Sequence, residues 1–266
     1  MIFRTLFFIF VFIPVLLFII PTQFVISRLR LPFWQALPKL HHKVGCIFLG
    51  LRVKMVGQPA HGRPTLVVSN HISWTDIIAI GSVADVTFVA KSEVRDWPFV
   101  GFMASLQRTI YVDRNRRTDA KKTSQEIGRH MAEGNAVLLF AEGQSDIGTH
   151  VLPFRSALIG AAQLAMIEAG AKDVMIQPLT IAYTKLQGLP VSRTERSLIA
   201  WIKSKSVRQN IVEILSGGTK EVTIAFGKPR PLEQGHDRKE VARIAENDVR
   251  RMLVALNRGQ PLPDVA

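Results

Sequence analysis

The hydrophobic pattern changes character once along the chain. From Thr5 to Ile26, TLFFIFVFIPVLLFIIPTQFVI, no side chain carries a charge, and the run matches the roughly 20 residues a helix needs to cross a bilayer core. Pro14 and Pro21 fall inside it, so a kinked span and a helix lying deep in one leaflet both fit. A cleavable signal segment is the competing reading. Against it, the run exceeds the ~7–15 apolar residues of such a segment and no small-residue cleavage site follows. Residues 33–51, FWQALPKLHHKVGCIFLGL, then have apolar spacing compatible with a helix whose limits are blurred by Pro38 and Gly45.

Beyond that point the period shortens. Short β-branched or apolar runs bounded by turn residues predict strands at Val53–Val56, Thr65–Ser69, Val86–Ala90, Thr109–Asp113, Ala136–Ala141, Val174–Ala182 and Glu221–Phe226. Helical spacing lies between and after them, at about Trp74–Gly81, Thr118–Glu133, Ser156–Ala169 and Arg238–Asn257. Alternating strands and helices predict an α/β fold whose loops carry the chemistry. Neither a repeat nor a low-complexity linker divides it. The expected organisation is an N-terminal membrane helix over residues 1–30, a membrane-proximal helical segment over 31–52, an α/β domain over 53–230, and a C-terminal helix and tail over 231–266.

Charge narrows the partners. Among 266 residues, 34 Lys and Arg stand against 21 Asp and Glu, a formal net charge of +13, so the protein attracts something anionic. Arg28, Arg30, Lys39 and Lys43 follow the apolar run, against Arg4 before it. By the positive-inside bias this predicts a protein of the inner (cytoplasmic) membrane with its folded domain on the cytoplasmic side, facing anionic membrane lipids. Nucleic acid is the weaker partner, because the basic residues are scattered and no recognition motif accompanies them. Between Lys185 and Arg208, six basic residues interleave with Leu198, Ile199, Trp201 and Ile202, a composition that suits either a headgroup-level surface or an ordinary exposed helix and loop. Cys46, the one cysteine, sits in the apolar run VGCIFLGL and reads as a core thiol. His41, His42, His61, His130, His150 and His236 form no metal-ligand spacing, so neither a metal nor a redox cofactor is expected.

The candidate chemistry begins at VSNHISWTD, residues 68–76. Asn70 and His71 fall where a predicted strand ends and a helix begins. With Asp76 on the first turns of that helix, its carboxylate can return to the imidazole, fix the tautomer and stabilise the imidazolium. Such a pair is a base able to activate a hydroxyl group. The alternative is purely structural: Asn70 or Ser73 caps the helix and Asp76 complements its dipole.

Further stretches accompany it in a fixed order. NHISWTD resembles the NHxxxxD motif of the PlsC-like glycerolipid acyltransferases, and VAKSEVRDWPFVG (89–101) resembles that family's segment of a lysine followed by a Pro-x-x-Gly turn. RTIYVDR (108–114) is similar to its second block, FAEGQSD (140–146) to its F-P-E-G-T-R block, and IQPLTIAY (176–183) to its apolar strand with a central proline. The resemblance covers roughly residues 50 to 230. It implies a mixed sheet flanked by helices, with His71 as general base and Asp76 orienting it. It also implies substrate-binding roles for Asn70, Lys91, Arg114, Glu142, Gly143 and Arg155, with the loop N–H groups near Gly143 offered to the developing negative charge. For Arg116 and Arg117 a solvated turn is the simpler reading.

The implied reaction is O-acyl transfer from acyl-ACP or acyl-CoA to a lysolipid hydroxyl, so acyl carrier protein or a coenzyme A thioester joins membrane lipid as a partner. FAEGQSD departs from the family by lacking the proline and the phosphate-clamping arginine. SDIGTHVLPFRSAL and QPLTIAYTKLQGLP look most like the α-proteobacterial branch that includes lyso-ornithine lipid O-acyltransferases. Lyso-ornithine lipid is therefore the expected acceptor, with 1-acyl-sn-glycerol 3-phosphate, giving phosphatidic acid, as the alternative. A noncatalytic basic membrane-binding protein is the alternative from another class.

Overall fold

Thr65–Leu66-Val67-Val68-Ser69 is buried at every position, as a strand covered on both faces must be, and it lies in the middle of the sheet that organises the molecule. The computed structural model describes residues 2–29, 31, 33–60, 62–112, 125–131, 133–157, 159–160, 174–232 and 237–263. Among these the strands are β1 (Leu51–Val56), β2 (Thr65–Ser69), β3 (Val86–Lys91), β4 (Ile110–Val112), β5 (Ala136–Phe140), β6 (Met175–Leu186), β7 (Leu189–Pro190), β8 (Lys220–Phe226) and β9 (Arg230–Pro231). Their order is β1-β8-β6-β2-β5-β3-β4, with β7 and β9 pairing to β6. From β6 to β4 neighbouring strands run parallel. β8 is antiparallel to β6 and parallel to β1, so the sheet is mixed.

Alternation along the central strands divides the core in two. Val67, Leu138 and Ile181 face one apolar cluster, together with Cys46, Leu49, Ala79 and Ile80 from the Ala36–Leu49 and Thr75–Val83 helices. Leu66, Val68, Val137 and Leu139 face the other, with Val249 and Leu253 of the Arg238–Asn257 helix. Each such aliphatic side chain contributes about 1.5–3 kcal/mol on full burial, so two filled faces hold the strand ends rigidly where the loops emerge.

The N-terminal run is helical from Ile2 to Arg28, and Thr5–Arg28 is long and apolar enough to cross a membrane, with only 6% of its most apolar window buried in the protein. The helix passes Pro14 through a π-helical turn at Phe8–Phe12, where the Ile13 N–H donates to the Phe8 carbonyl. A wider turn of this kind makes room for a residue that brings no N–H of its own. The following Ala36–Leu49 helix packs on Thr75–Val83. Several elements were not legible in the pattern: the 3-10 turn Ser92–Asp96 and the helices Val100–Leu106, Arg193–Ile199 and Val207–Ser216. Of the helices expected at 118–133 and 156–169, residues 125–131, 156–157 and 159–160 are helical; much of both ranges lies outside the described residues, as do His61 and His236.

Candidate active site

β2 and β5 are parallel neighbours in register, Ser69 opposite Phe140, so the loops leaving their carboxyl ends emerge side by side. That edge is where parallel sheets expose functional groups. It brings His71 and Glu142 together although 71 positions separate them.

His71 is fixed from several directions. Its Nδ1 donates to Asp76 Oδ2 at 2.8 Å, and its ring stacks on Phe140 with centroids 4.0 Å apart. The side chain keeps 17% exposure, and Nε2 has no hydrogen bond among the described residues. The Asp76 carboxylate is completely buried and correspondingly well supplied. Oδ2 also accepts the Ile72 N–H at 2.6 Å and the Ser73 N–H at 3.0 Å, while Oδ1 accepts the Tyr183 hydroxyl at 2.8 Å. Thr75 donates in turn to Tyr183 at 2.7 Å. Burial first, and then the Asp76 charge, push the Tyr183 phenol well above its ordinary value, so it remains a neutral donor. A buried carboxylate held by this many donors stays oriented toward the imidazole. The capping reading of the sequence fails for Asn70 and Ser73: the Thr75–Val83 helix has no side-chain cap.

Glu142 is also buried, at 3% exposure. Its two oxygens accept the backbone N–H groups of His71 and Leu152, each at 2.7 Å. Desolvation raises its pKa to about 8, against the lowering effect of those two hydrogen bonds; the nearby Asp146 and Asp76 charges add to the rise. Its side chain thus braces the His71 loop. Asn70, 1% exposed, exchanges two 3.0 Å hydrogen bonds with the backbone of Ile181 on β6. Its amide prolongs the β2–β6 ladder past the end of β2 instead of reaching toward the imidazole. Gly143 adopts φ 73° and its N–H donates to the Phe140 carbonyl at 3.0 Å, closing the turn. Arg155 Nε donates to the Glu142 carbonyl at 3.2 Å from an exposed position, and Lys91 is exposed at the carboxyl end of β3. Arg114, with Arg116 and Arg117, lies outside the described residues.

One feature of the site was not read from the sequence. The Trp201 N–H donates to the Ile72 carbonyl at 3.0 Å, and the Trp201 carbonyl accepts the Ser145 hydroxyl. The segment read as a basic surface therefore ties the His71 loop to the Glu142 loop. Asn210, wholly buried, supports it by bridging Trp74 Nε1 and the Ala200 carbonyl. In the FAEGQSD block, the Asp146 N–H holds the His71 carbonyl at 2.9 Å, while Asp146 Oδ2 is buried with no hydrogen bond among the described residues and a 3.7 Å approach from His150 Nε2.

Chemically, the site offers one oriented imidazole whose outer nitrogen is accessible, and no serine or cysteine is hydrogen-bonded to it among the described residues. The Acyltransferase family model matches residues 52–182. A lyso-ornithine lipid O-acyltransferase of Brucella abortus is 40% identical over 246 residues, 92% of each chain. Another protein of that name from Rhizobium meliloti is 37% identical, covering 93% of this chain and 85% of its own. The crystal structure of the 1-acyl-sn-glycerophosphate acyltransferase PlsC of Thermotoga maritima superposes with a TM-score of 0.66 at 22% identity, covering 96% of this chain and 95% of its own. That last likeness bears on the fold.

Proposed function

The chain belongs to the Acyltransferase family and is an acyltransferase; on that footing we propose that it moves a fatty acyl group from acyl-ACP or acyl-CoA to the hydroxyl of lyso-ornithine lipid, giving ornithine lipid. The observation that carries the reading is the 2.8 Å His71–Asp76 hydrogen bond, which leaves Nε2 as the available base. The acceptor hydroxyl gives its proton to Nε2 as its oxygen bonds to the thioester carbonyl carbon. The carbonyl π pair moves onto oxygen, and collapse of this tetrahedral oxyanion re-forms the carbonyl and breaks the C–S bond. The imidazolium then protonates the departing sulfur, so an ester and a thiol leave a neutral histidine behind. Asp76 stabilises the charged ring throughout, and a base so placed supplies about 10²–10⁴-fold.

Asp146 supports the acceptor. A buried carboxylate oxygen lacking a donor, beside the catalytic loop, suits the ammonium of an ornithine headgroup and disfavours a phosphate. Ser145 stands where the F-P-E-G-T-R block that this stretch resembles has its arginine, and it is engaged with Trp201. The names of the relatives from Brucella abortus and Rhizobium meliloti point the same way. The N-terminal apolar helix associates the enzyme with membrane lipid; the basic residues after it support the cytoplasmic face of the inner membrane.

The test offers labelled acyl-ACP and acyl-CoA to the purified protein with lyso-ornithine lipid and, separately, with 1-acylglycerol 3-phosphate. Labelled ornithine lipid is expected, and it is lost in His71→Ala. Exclusive acylation of the phosphate acceptor would overturn the acceptor, and transfer to neither would sink the reading.

A further inference from the structure

We infer that the turn Trp97–Phe102 is a second membrane-inserting element, separate from the N-terminal helix, that sets the mouth of the active site against the bilayer. The inference rests on the lipid-acyltransferase reading above for its choice of occupant. It begins from a strained residue. Phe99 has φ 62° and ψ −50°, and the Val100 N–H donates back to the Pro98 carbonyl at 2.7 Å, a tight three-residue turn that non-glycine residues rarely adopt. The strain is imposed from the next position but one. A Cβ on Gly101 would lie 2.0 Å from the Arg95 carbonyl oxygen, so the chain is clamped there and the turn is thrown outward.

What it displays is apolar. Phe99 is 56% exposed, and Val100 and Phe102 are each 47% exposed, while Gly101, Met103 and Leu106 form the buried side of the same short helix. Contiguous exposed aromatic and aliphatic side chains of this kind mark an interaction surface. Continuity identifies the partner. The helix Val100–Leu106 packs against the N-terminal apolar helix, where buried Gln23 donates to the carbonyls of Leu106 at 3.1 Å and Trp34 at 2.8 Å. The apolar turn and the lipid-facing helix thus belong to one side of the molecule. Lys91, Glu93, Arg95 and Asp96, all exposed beside the turn, form a charged collar of zero net charge that suits the hydrated headgroup layer above an inserted apolar tip.

The turn also connects to the chemistry. Trp97 meets Trp201 edge to face, ring centroids 5.7 Å apart, and Trp201 is hydrogen-bonded to the Ile72 carbonyl beside His71. Seating Phe99 in the acyl layer would hold the His71 loop at the level where lysolipid hydroxyls lie.

Site-directed labelling tests this on the full-length protein. Cys46 is buried and its thiol is pushed up to about 11, mainly by desolvation, so Phe99→Cys adds a single reactive thiol for an environment-sensitive fluorophore. On vesicles of phosphatidylglycerol and phosphatidylcholine, the label at 99 should shift to the blue and be quenched several-fold more by acyl-chain nitroxides than a label at Arg243→Cys on the opposite helix. Phe99→Gly, which relieves the backbone strain, combined with Phe102→Ser should lower transfer to vesicle-embedded lysolipid by about tenfold, with transfer to a water-soluble short-chain lysolipid within about twofold of wild type. A label at 99 that stays in water on protein-bound vesicles overturns the inference, as does shielding that needs acyl carrier protein or raised protein concentration. Equal loss on both acceptors, or none, overturns it too. Absence of transfer by the wild-type protein would instead defeat the functional reading, with the quenching still reporting on insertion.

Discussion

The Glu142 carboxylate accepts the backbone N–H of His71 at 2.7 Å, so the second loop holds the first through its main chain. This relationship makes Glu142 a positioning residue, and its protonation a stability matter. Burial lifts it to about 8 in the folded protein, while the unfolded carboxyl ionises near its ordinary value. Between those limits the folded state keeps a proton that the unfolded chain has released. The contribution is therefore fully present in acid and is lost as pH rises toward about 8, at no more than about 1.4 kcal/mol per pH unit. Denaturant midpoints across this range should fall more steeply with pH for wild type than for Glu142→Gln. Parallel curves would contradict the assignment.

Asp76 and Tyr183 act on the imidazole in series. Asp76→Asn removes the charge that balances the imidazolium and an acceptor shared by three donors, so kcat should fall about 10²–10⁴-fold. Tyr183→Phe removes one charge-assisted bond, at about 1.5–3 kcal/mol of stability, and leaves the His71–Asp76 contact in place. Its kcat loss should be much smaller, with KM little changed. Steady-state kinetics of the two variants check the ranking; equal losses would mean that Tyr183 is itself essential to orienting the pair.

Local spacing made part of this site readable. His71 and Asp76 are five positions apart, and a fully buried strand followed by a polar loop and a helix brings them together without help from elsewhere. Glu142 was found through the glycine beside it at a strand end. The supports were not readable: Tyr183 reaches Asp76 from 107 positions away, and nothing in TIAYTKL separates a buried phenol aimed at a carboxylate from a strand-core aromatic. Trp201 looked like interfacial composition because its contacts with Ile72 and Ser145 are made by its backbone, which every residue possesses. Asn70 was placed correctly at the strand end, but an amide offers both a donor and an acceptor, and only the register of β6 shows that the Ile181 backbone takes both.

That register makes Asn70 a test of position against contact. Asn70→Asp keeps the size but sets a carboxylate oxygen against the Ile181 carbonyl, and Asn70→Ala leaves both Ile181 groups without their side-chain partner in a dry interior. Each should cost about 1–3 kcal/mol, seen as a lowered midpoint in chemical denaturation. Residual activity per folded molecule should remain measurable. Unchanged stability with complete loss of activity would instead indicate a direct contact with substrate.

Asp146 bears most directly on which lipid is acylated. Its N–H holds the His71 carbonyl, so the main chain at this position already serves the catalytic loop whatever the side chain is. The carboxylate is a separate matter, since among the described residues Oδ2 is buried, receives no hydrogen bond, and meets the exposed His150 at 3.7 Å. Asp146→Asn keeps the backbone contact and the shape while removing the charge. An ammonium headgroup bound there would lose a charge-assisted hydrogen bond of about 1.5–3 kcal/mol, roughly 10–100-fold in KM for lyso-ornithine lipid. The kcat value should change little, because the lost contact is equal in the ground state and the transition state. A phosphate acceptor would respond in the opposite sense, since removing a nearby negative charge relieves repulsion. Measuring KM for both lysolipids with this one variant separates the cases: a rise for the ornithine lipid alone supports the ammonium site, whereas a fall for the phosphate lipid with the ornithine lipid unaffected would assign Asp146 to excluding phosphate without binding the amine.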